Sequence, residues 1–193
     1  MNEFELYLRL GIRHIADFSA FDHMLFLLAV CIPYGWKALK RLALLVTAFT
    51  LGHSLTLALS VFHIILVPSK LIEFLIPLTI LITSISNIVR KESDSSKNMG
   101  WKYALVLFFG LIHGMGFSNY LRELLGHSSS IILPLFSFNV GLELGQLLIV
   151  TGILTISYIL TTLFSINKRN LITIISGATA GISLILMLQN KFW

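Results

Sequence analysis

Apolar residues recur from end to end of the chain in runs of about twenty, separated by short polar connections. Each run is long enough to carry an α-helix across the ~30 Å hydrocarbon core of a bilayer. The runs place spans at roughly 19–35, 41–66, 70–90, 101–123, 131–164 and 170–190, the fifth longer than a bilayer needs. Residues 1–18 follow another pattern. Phe4, Leu6, Leu8, Leu10 and Ile15 are mixed with Glu3, Glu5, Arg9, Arg13 and Asp17, which suits an amphipathic helix lying in the membrane interface. The predicted fold is therefore all-α: one membrane domain over residues 1–193, a polytopic bundle of about six transmembrane helices preceded by that interfacial helix.

Composition strengthens this reading. Hydrophobic residues make up 56% of the chain and charged residues 12%, where a soluble domain carries about 25% charged residues. Mean hydropathy is +0.87. The formal net charge of +5 does not point to nucleic acid, because the basic residues sit in short connections. Lys37, Lys40, Arg41, Arg90, Lys91, Lys97, Lys102, Lys168 and Arg169 fall after spans one, three and five, and by the positive-inside rule that side is cytoplasmic. Both termini are expected on the outer, periplasmic side. The opening Met1-Asn2-Glu3-Phe4-Glu5 lacks the basic start of a signal peptide. Segment 91–100 reads as a polar loop. The lone Cys31 forms no internal disulfide or thiolate cluster.

The chemistry lies in polar residues inside the spans. An ionisable side chain at the centre of a membrane helix costs roughly 2.5–3.5 kcal/mol on insertion scales, so each calls for a partner or a wet cavity. Asp22 and His23 stand at the outer end of span one, His53 and Ser54 near the middle of span two, and His113 near the middle of span four. Asn139, Glu143 and Gln146 share one face of span five through their i, i+4, i+7 spacing. On this topology they fall at compatible depths and could share one cavity open to the outside. Imidazoles with carboxylates suit Ni(II), Co(II) or Zn(II), and the lack of thiolates argues against Cu(I) and iron–sulfur chemistry.

Plainer roles stand beside each of these. Ser19-x-x-Asp22 matches a capping box, and a lone intramembrane histidine is often bonded to a neighbouring helix. Thr47, Thr50, His53 and Ser54 share a face that could line an inward path, or their hydroxyls could bond their own helix carbonyls. Gly110/Gly114, Gly141/Gly145 and Gly177/Gly181 mark faces for close helix packing. Glu73 opens span three at the outer surface, and His63 and His127 read as solvated loop residues.

Four ordered stretches resemble the HupE/UreJ family of bacterial membrane proteins. They are His14-Ile15 with Asp22-His23-Met24-Leu25-Phe26, Thr47 through Leu57 around Gly52-His53-Ser54, Phe109-Gly110-Leu111-Ile112-His113-Gly114, and Phe138-Asn139 through Gln146. The resemblance implies an inner-membrane permease for nickel or cobalt that supplies hydrogenase or urease maturation. It also implies His14, Asp22, His23, His53, His113 and Glu143 as the metal-site residues; Ser54, Asn139 and Gln146 are the polar support expected from their positions in the spans. The segment between His14 and Asp22 departs from the family's shorter, Gly-containing spacing.

Three functions are open on the residues. The first is uptake of a divalent transition metal, with capture weakening as pH falls through about 6.5 because only neutral imidazole binds metal. The second is a zinc-dependent intramembrane hydrolase using Asp22 or Glu143 as general base. The third is a membrane protein that binds a metal without moving it. The expected partners are the metal ion and the lipid bilayer, with no nucleic acid.

Overall fold

A computed structural model of the chain describes residues 2–17, 22–62, 64–65, 67–89, 99–125 and 131–191. The described residues are helical throughout apart from short turns. The helices are α1 (Glu3–Ile15), α2 (Asp22–Cys31), α3 (Leu39–Val61), α4 (Ser69–Val89), α5 (Met99–Leu125), α6 (Ile132–Thr162) and α7 (Lys168–Gln189), with a single 3-10 turn, Trp36–Ala38, leading into α3. Among the described residues, four helical stretches are long and apolar enough to cross a membrane: Trp36–Val61, α4, α6 and α7. Shorter apolar stretches occupy Asp22–Cys31 and Lys102–Phe117. Large apolar side chains such as Leu51, Leu148, Ile156, Ile174 and Ile185 are exposed, while Ser84, Ser137, Ser157, Ser176 and Ser183 are buried. That inversion is the pattern of a protein whose solvent is lipid.

The first apolar run does not form one long helix. α2 ends at Cys31 because Pro33 follows two residues later: proline lacks an N–H and pushes the residue before it out of the helical region. Ten residues rise only ~15 Å, half of a hydrocarbon core. The expected surface helix over 1–18 takes a different place. α1 buries Tyr7, Gly11 and Ile15 on one face, and that face runs lengthwise along α6. Leu8 meets Gly141, Gly11 meets Phe138 and Leu142, and Ile15 meets Gly145, so both helices advance in the same sense. A Cβ on Gly11 would stand 2.1 Å from the Phe138 carbonyl oxygen, and one on Gly141 would stand 2.0 Å from that of Leu8. Glycine is what lets these backbones touch.

α3 and α5 interlock in the same way. Gly52 lies on the Leu107 carbonyl, Gly110 on that of Phe49 and Gly114 on that of His53, so these two helices also run in one sense. α2 runs against α5, with Phe26 opposite Phe109 and His23 opposite His113. α1 and α2 therefore follow one another in one direction, the C-terminal turn of α1 meeting the first turn of α2. On the far side, α7 packs antiparallel on α4. Ser84 and Thr179 share a hydroxyl hydrogen bond at 2.8 Å, Asn190 donates to the Glu73 carbonyl, and Arg169 donates to the carbonyls of Asn87 and Ile88.

Candidate metal centre

Four histidines reach the middle of the bundle, each from a different helix. His14 comes from the last turn of α1, His23 from the first turn of α2, His53 from α3 and His113 from α5. His53 and His113 are also placed by the glycines beside them, because Gly114 brings the two backbones together. The ring centroids of His14 and His23 are 4.8 Å apart, those of His23 and His113 5.1 Å, and those of His14 and His53 5.9 Å. One ligating atom from each of His14, His23 and His53 lies within 4.8 Å of the others. Nitrogens around one tetrahedral ion stand about 3.4 Å apart, so small side-chain rotations close the remaining gap.

Hydrogen bonding fixes which nitrogens are available. His113 Nδ1 lies 2.8 Å from the Phe109 carbonyl oxygen. A carbonyl only accepts, so Nδ1 carries the hydrogen and Nε2 keeps its lone pair. His23 Nδ1 lies 3.2 Å from Asp22 Oδ1, which also accepts from the His23 backbone N–H at 3.0 Å. The carboxylate thereby orients the ring and leaves Nε2 as the donor atom for a metal, the carboxylate–histidine arrangement common around such sites. The Nε2 atoms of His14, His23 and His113 and both ring nitrogens of His53 are buried without a hydrogen-bond partner. Leaving a buried polar atom unsatisfied costs about 1–3 kcal/mol. A cluster of such lone pairs is suited to a cation.

Asp22 is thus placed to orient His23, through the same oxygen that accepts the His23 backbone N–H; Ser19, the other half of the expected capping box, lies outside the described residues. Glu143 is not among the converging groups. Its Oε1 accepts from Thr47 Oγ at 2.6 Å, and Thr47 stands six residues, ~9 Å of helix, before His53 on α3. Asn139 donates to the Leu135 carbonyl and keeps its Oδ1 buried and unpartnered. Ser54 bonds the Thr50 carbonyl of its own helix, the plainer of its two expected roles. Gln146 accepts from Thr50 Oγ at 2.8 Å. His63, His127 and loop residues 91–98 lie outside the described residues.

A cleft of about 1130 Å³ leads to the histidines, walled by α1, α4 and α5. Its lining includes Arg13, Asp17 and Glu73 as well as the apolar Leu10, Ile72 and Ile76. Beyond the cluster, Phe26, Phe49 and Phe109 make a floor, with Phe26 centred 5.1 Å from Phe49 and 5.7 Å from Phe109. Phe117 and Phe138 stack at 5.1 Å, and Phe117 lies 3.9 Å from the His14 ring. Sequence reasoning missed these aromatics. Two carried a signal: Phe49 and Phe109 each precede a site histidine by four residues and so share its helical face.

Fold and site together define a helical membrane protein whose buried histidines are reached by an open cleft. The family model described as HupE / UreJ protein matches residues 1–190, and the chain belongs to that family. No curated protein and no solved structure gives a significant match.

Proposed function

We propose that this protein is an inner-membrane permease that takes up a divalent transition metal, nickel or cobalt first and zinc as the remaining candidate. The observation that carries the reading is the convergence of buried His23, His53 and His113 with half-buried His14, their ring nitrogens unpartnered, beside an open cleft lined by three of them. Imidazole donors without thiolate suit these metals. The chain crosses the bilayer six times with both termini outside. The first crossing is made by α1 and α2 in succession, whose combined rise of ~35 Å matches the hydrocarbon core. Interrupted helices of this kind are a recurrent way to expose helix ends and ligands at mid-membrane.

Proteoliposomes loaded with a metal-sensitive dye test the reading. The intact protein should pass the metal, and His53→Ala and His113→Ala should abolish flux. Silence of the intact protein, or flux indifferent to both substitutions, would sink it.

The hydrolase reading has its own supporting observation: Leu10, Ile12, Ile72, Ile76 and Phe117 give the cleft apolar walls, and Phe26, Phe49 and Phe109 pack against the histidines. Such a chamber suits a lipid-like substrate as well as an ion awaiting an inward step. His14, His23 and His53 would hold the zinc, which would supply an activated water. Zinc retained stoichiometrically through purification, together with absent flux, would decide for the enzyme.

A further inference from the structure

The first turns of three helices carry a charge of the unexpected sign. α3 opens with Lys40 and Arg41, α5 with Lys102 and α7 with Lys168 and Arg169, and none of the three has an acidic residue in its first turn. A helix N-terminus bears about half a positive charge and favours carboxylates, so cations placed there oppose the peptide dipoles. The positive-inside rule accounts for basic residues at this end of the molecule. It asks only that they reach water.

Two of them turn inward instead. Lys168 donates to the Tyr34 carbonyl at 3.0 Å and to Ser157 Oγ at 2.7 Å. Lys102 donates to the Tyr34 hydroxyl at 3.4 Å, and its 5.7 Å distance from the ring centre puts the ammonium off the hydroxyl end of the ring, not over its face. Both lysines and Tyr34 are half-buried. All of these acceptors are neutral. Among the described residues Glu5 pairs with Arg9 and Asp22 with His23, and neither Lys102 nor Lys168 takes part in an ion pair. Two like charges are thus drawn to one tyrosine, at the positive ends of α5 and α7, without a counter-ion. An ammonium has three hydrogens to donate, so both lysines keep N–H groups to give.

The neighbouring surface is apolar. Leu163 and Phe164, which follow α6 and precede Lys168, are 74% and 68% exposed, and Trp36, two residues after Tyr34, is 40% exposed. Half-buried cations beside exposed apolar side chains match the two parts of an amphiphile. An anionic headgroup answers the ammonium groups, and acyl chains answer the apolar surface.

We propose that Lys102 and Lys168 form a binding site for the headgroup phosphate of an anionic phospholipid, held between the first turns of α5 and α7 beside Tyr34. The phosphate supplies the missing counter-charge and accepts the remaining N–H hydrogens, as basic groups between membrane helices do for such headgroups. Tyr34 stands three residues beyond the end of α2, so the bound lipid also steadies the short helix that carries His23. A free phosphate ion offers the same oxygens but leaves the apolar surface uncovered.

Native mass spectrometry of the full chain from uncharged detergent, titrated with phosphatidylglycerol, phosphatidylcholine or inorganic phosphate, tests the site. One phosphatidylglycerol should be retained per chain in preference to phosphatidylcholine, and inorganic phosphate at the same concentration should not displace it. Lys102→Gln should weaken phosphatidylglycerol binding about fivefold, and Lys102→Gln with Lys168→Gln about twentyfold. Lys168→Arg keeps the charge and should keep the lipid. Lys70→Gln and Lys191→Gln, at the opposite end of the molecule, should change binding less than about twofold. If Lys168→Gln does not fold, Lys102→Gln carries the test alone, because it removes only the long bond to the Tyr34 hydroxyl. Unchanged binding in Lys102→Gln, or phosphatidylcholine held equally well, overturns the proposal. Displacement by inorganic phosphate overturns the lipid in favour of a free anion. None of these measurements involves a metal, so they stand apart from the permease reading.

Discussion

Three pairs of glycines share the same four-residue spacing, but they meet opposite surroundings. At Gly110/Gly114 and Gly141/Gly145 the missing side chains are replaced by a neighbouring helix, and an added Cβ would fall 2.0–2.4 Å from backbone or side-chain atoms. At Gly177 and Gly181 on α7 nothing lies within 4 Å. The first two pairs sit on α5, which carries His113, and on α6, which holds α1 and its His14; the third sits on α7, which carries no histidine. Close backbone approach brings His53 and His113 to one level and holds α1 on α6 so that His14 reaches the cluster. α7 reaches α4 through Thr179, Arg169 and Asn190, while its two glycines face open space.

This contrast can be broken or sharpened by substitution. The largest effect is expected for Gly141→Ala and Gly114→Ala, where the obstructing atoms include backbone carbonyls and cannot rotate away. Each should cost about 3 kcal/mol or more, read as loss of thermal stability in detergent, with metal binding falling in parallel. Next is Asp22→Asn, which leaves the packing intact but weakens the charge that orients His23. Metal affinity should drop about 10-fold or more with little change in unfolding temperature, by calorimetry and thermal melts on the same samples. Lowering the pH tests the same half without substitution. Protons compete for the imidazole lone pairs, so binding should weaken as pH falls and recover on return to neutrality. The smallest effect is Gly177→Ala, expected to stabilise by about 0.5–1 kcal/mol through helix propensity alone. A loss of stability there would mean that α7 meets a partner helix in the membrane.

The helical class and most helix limits were legible because membrane helices announce themselves through long apolar runs; α3, α4, α5, α6 and α7 lie close to the predicted spans. The site histidines were legible because ionisable groups are rare in such runs. Glu143 was grouped with them because depth along a helix is readable from residue number. The direction in which a helix face turns relative to its neighbours is not. Thr47 faces Glu143, and only contact between α3 and α6 reveals it. The same holds for His14, which carried an unusual spacing to Asp22 and still arrives beside His23.

The amino-acid sequence by itself determined a membrane-embedded helical chain, the positions of its polar residues along each helix and, through four ordered motifs, its HupE/UreJ family. The physical basis is local: hydropathy, helical periodicity and proline or glycine chemistry act over one or two turns. Only the tertiary structure decided that α1 lies along α6, that Asp22 orients a histidine and that Glu143 meets Thr47 of α3. It also separated glycines that pack from glycines that do not. Those outcomes depend on which surfaces meet across many residues of sequence, and backbone contact at Gly11, Gly114 and Gly141 is what selects them.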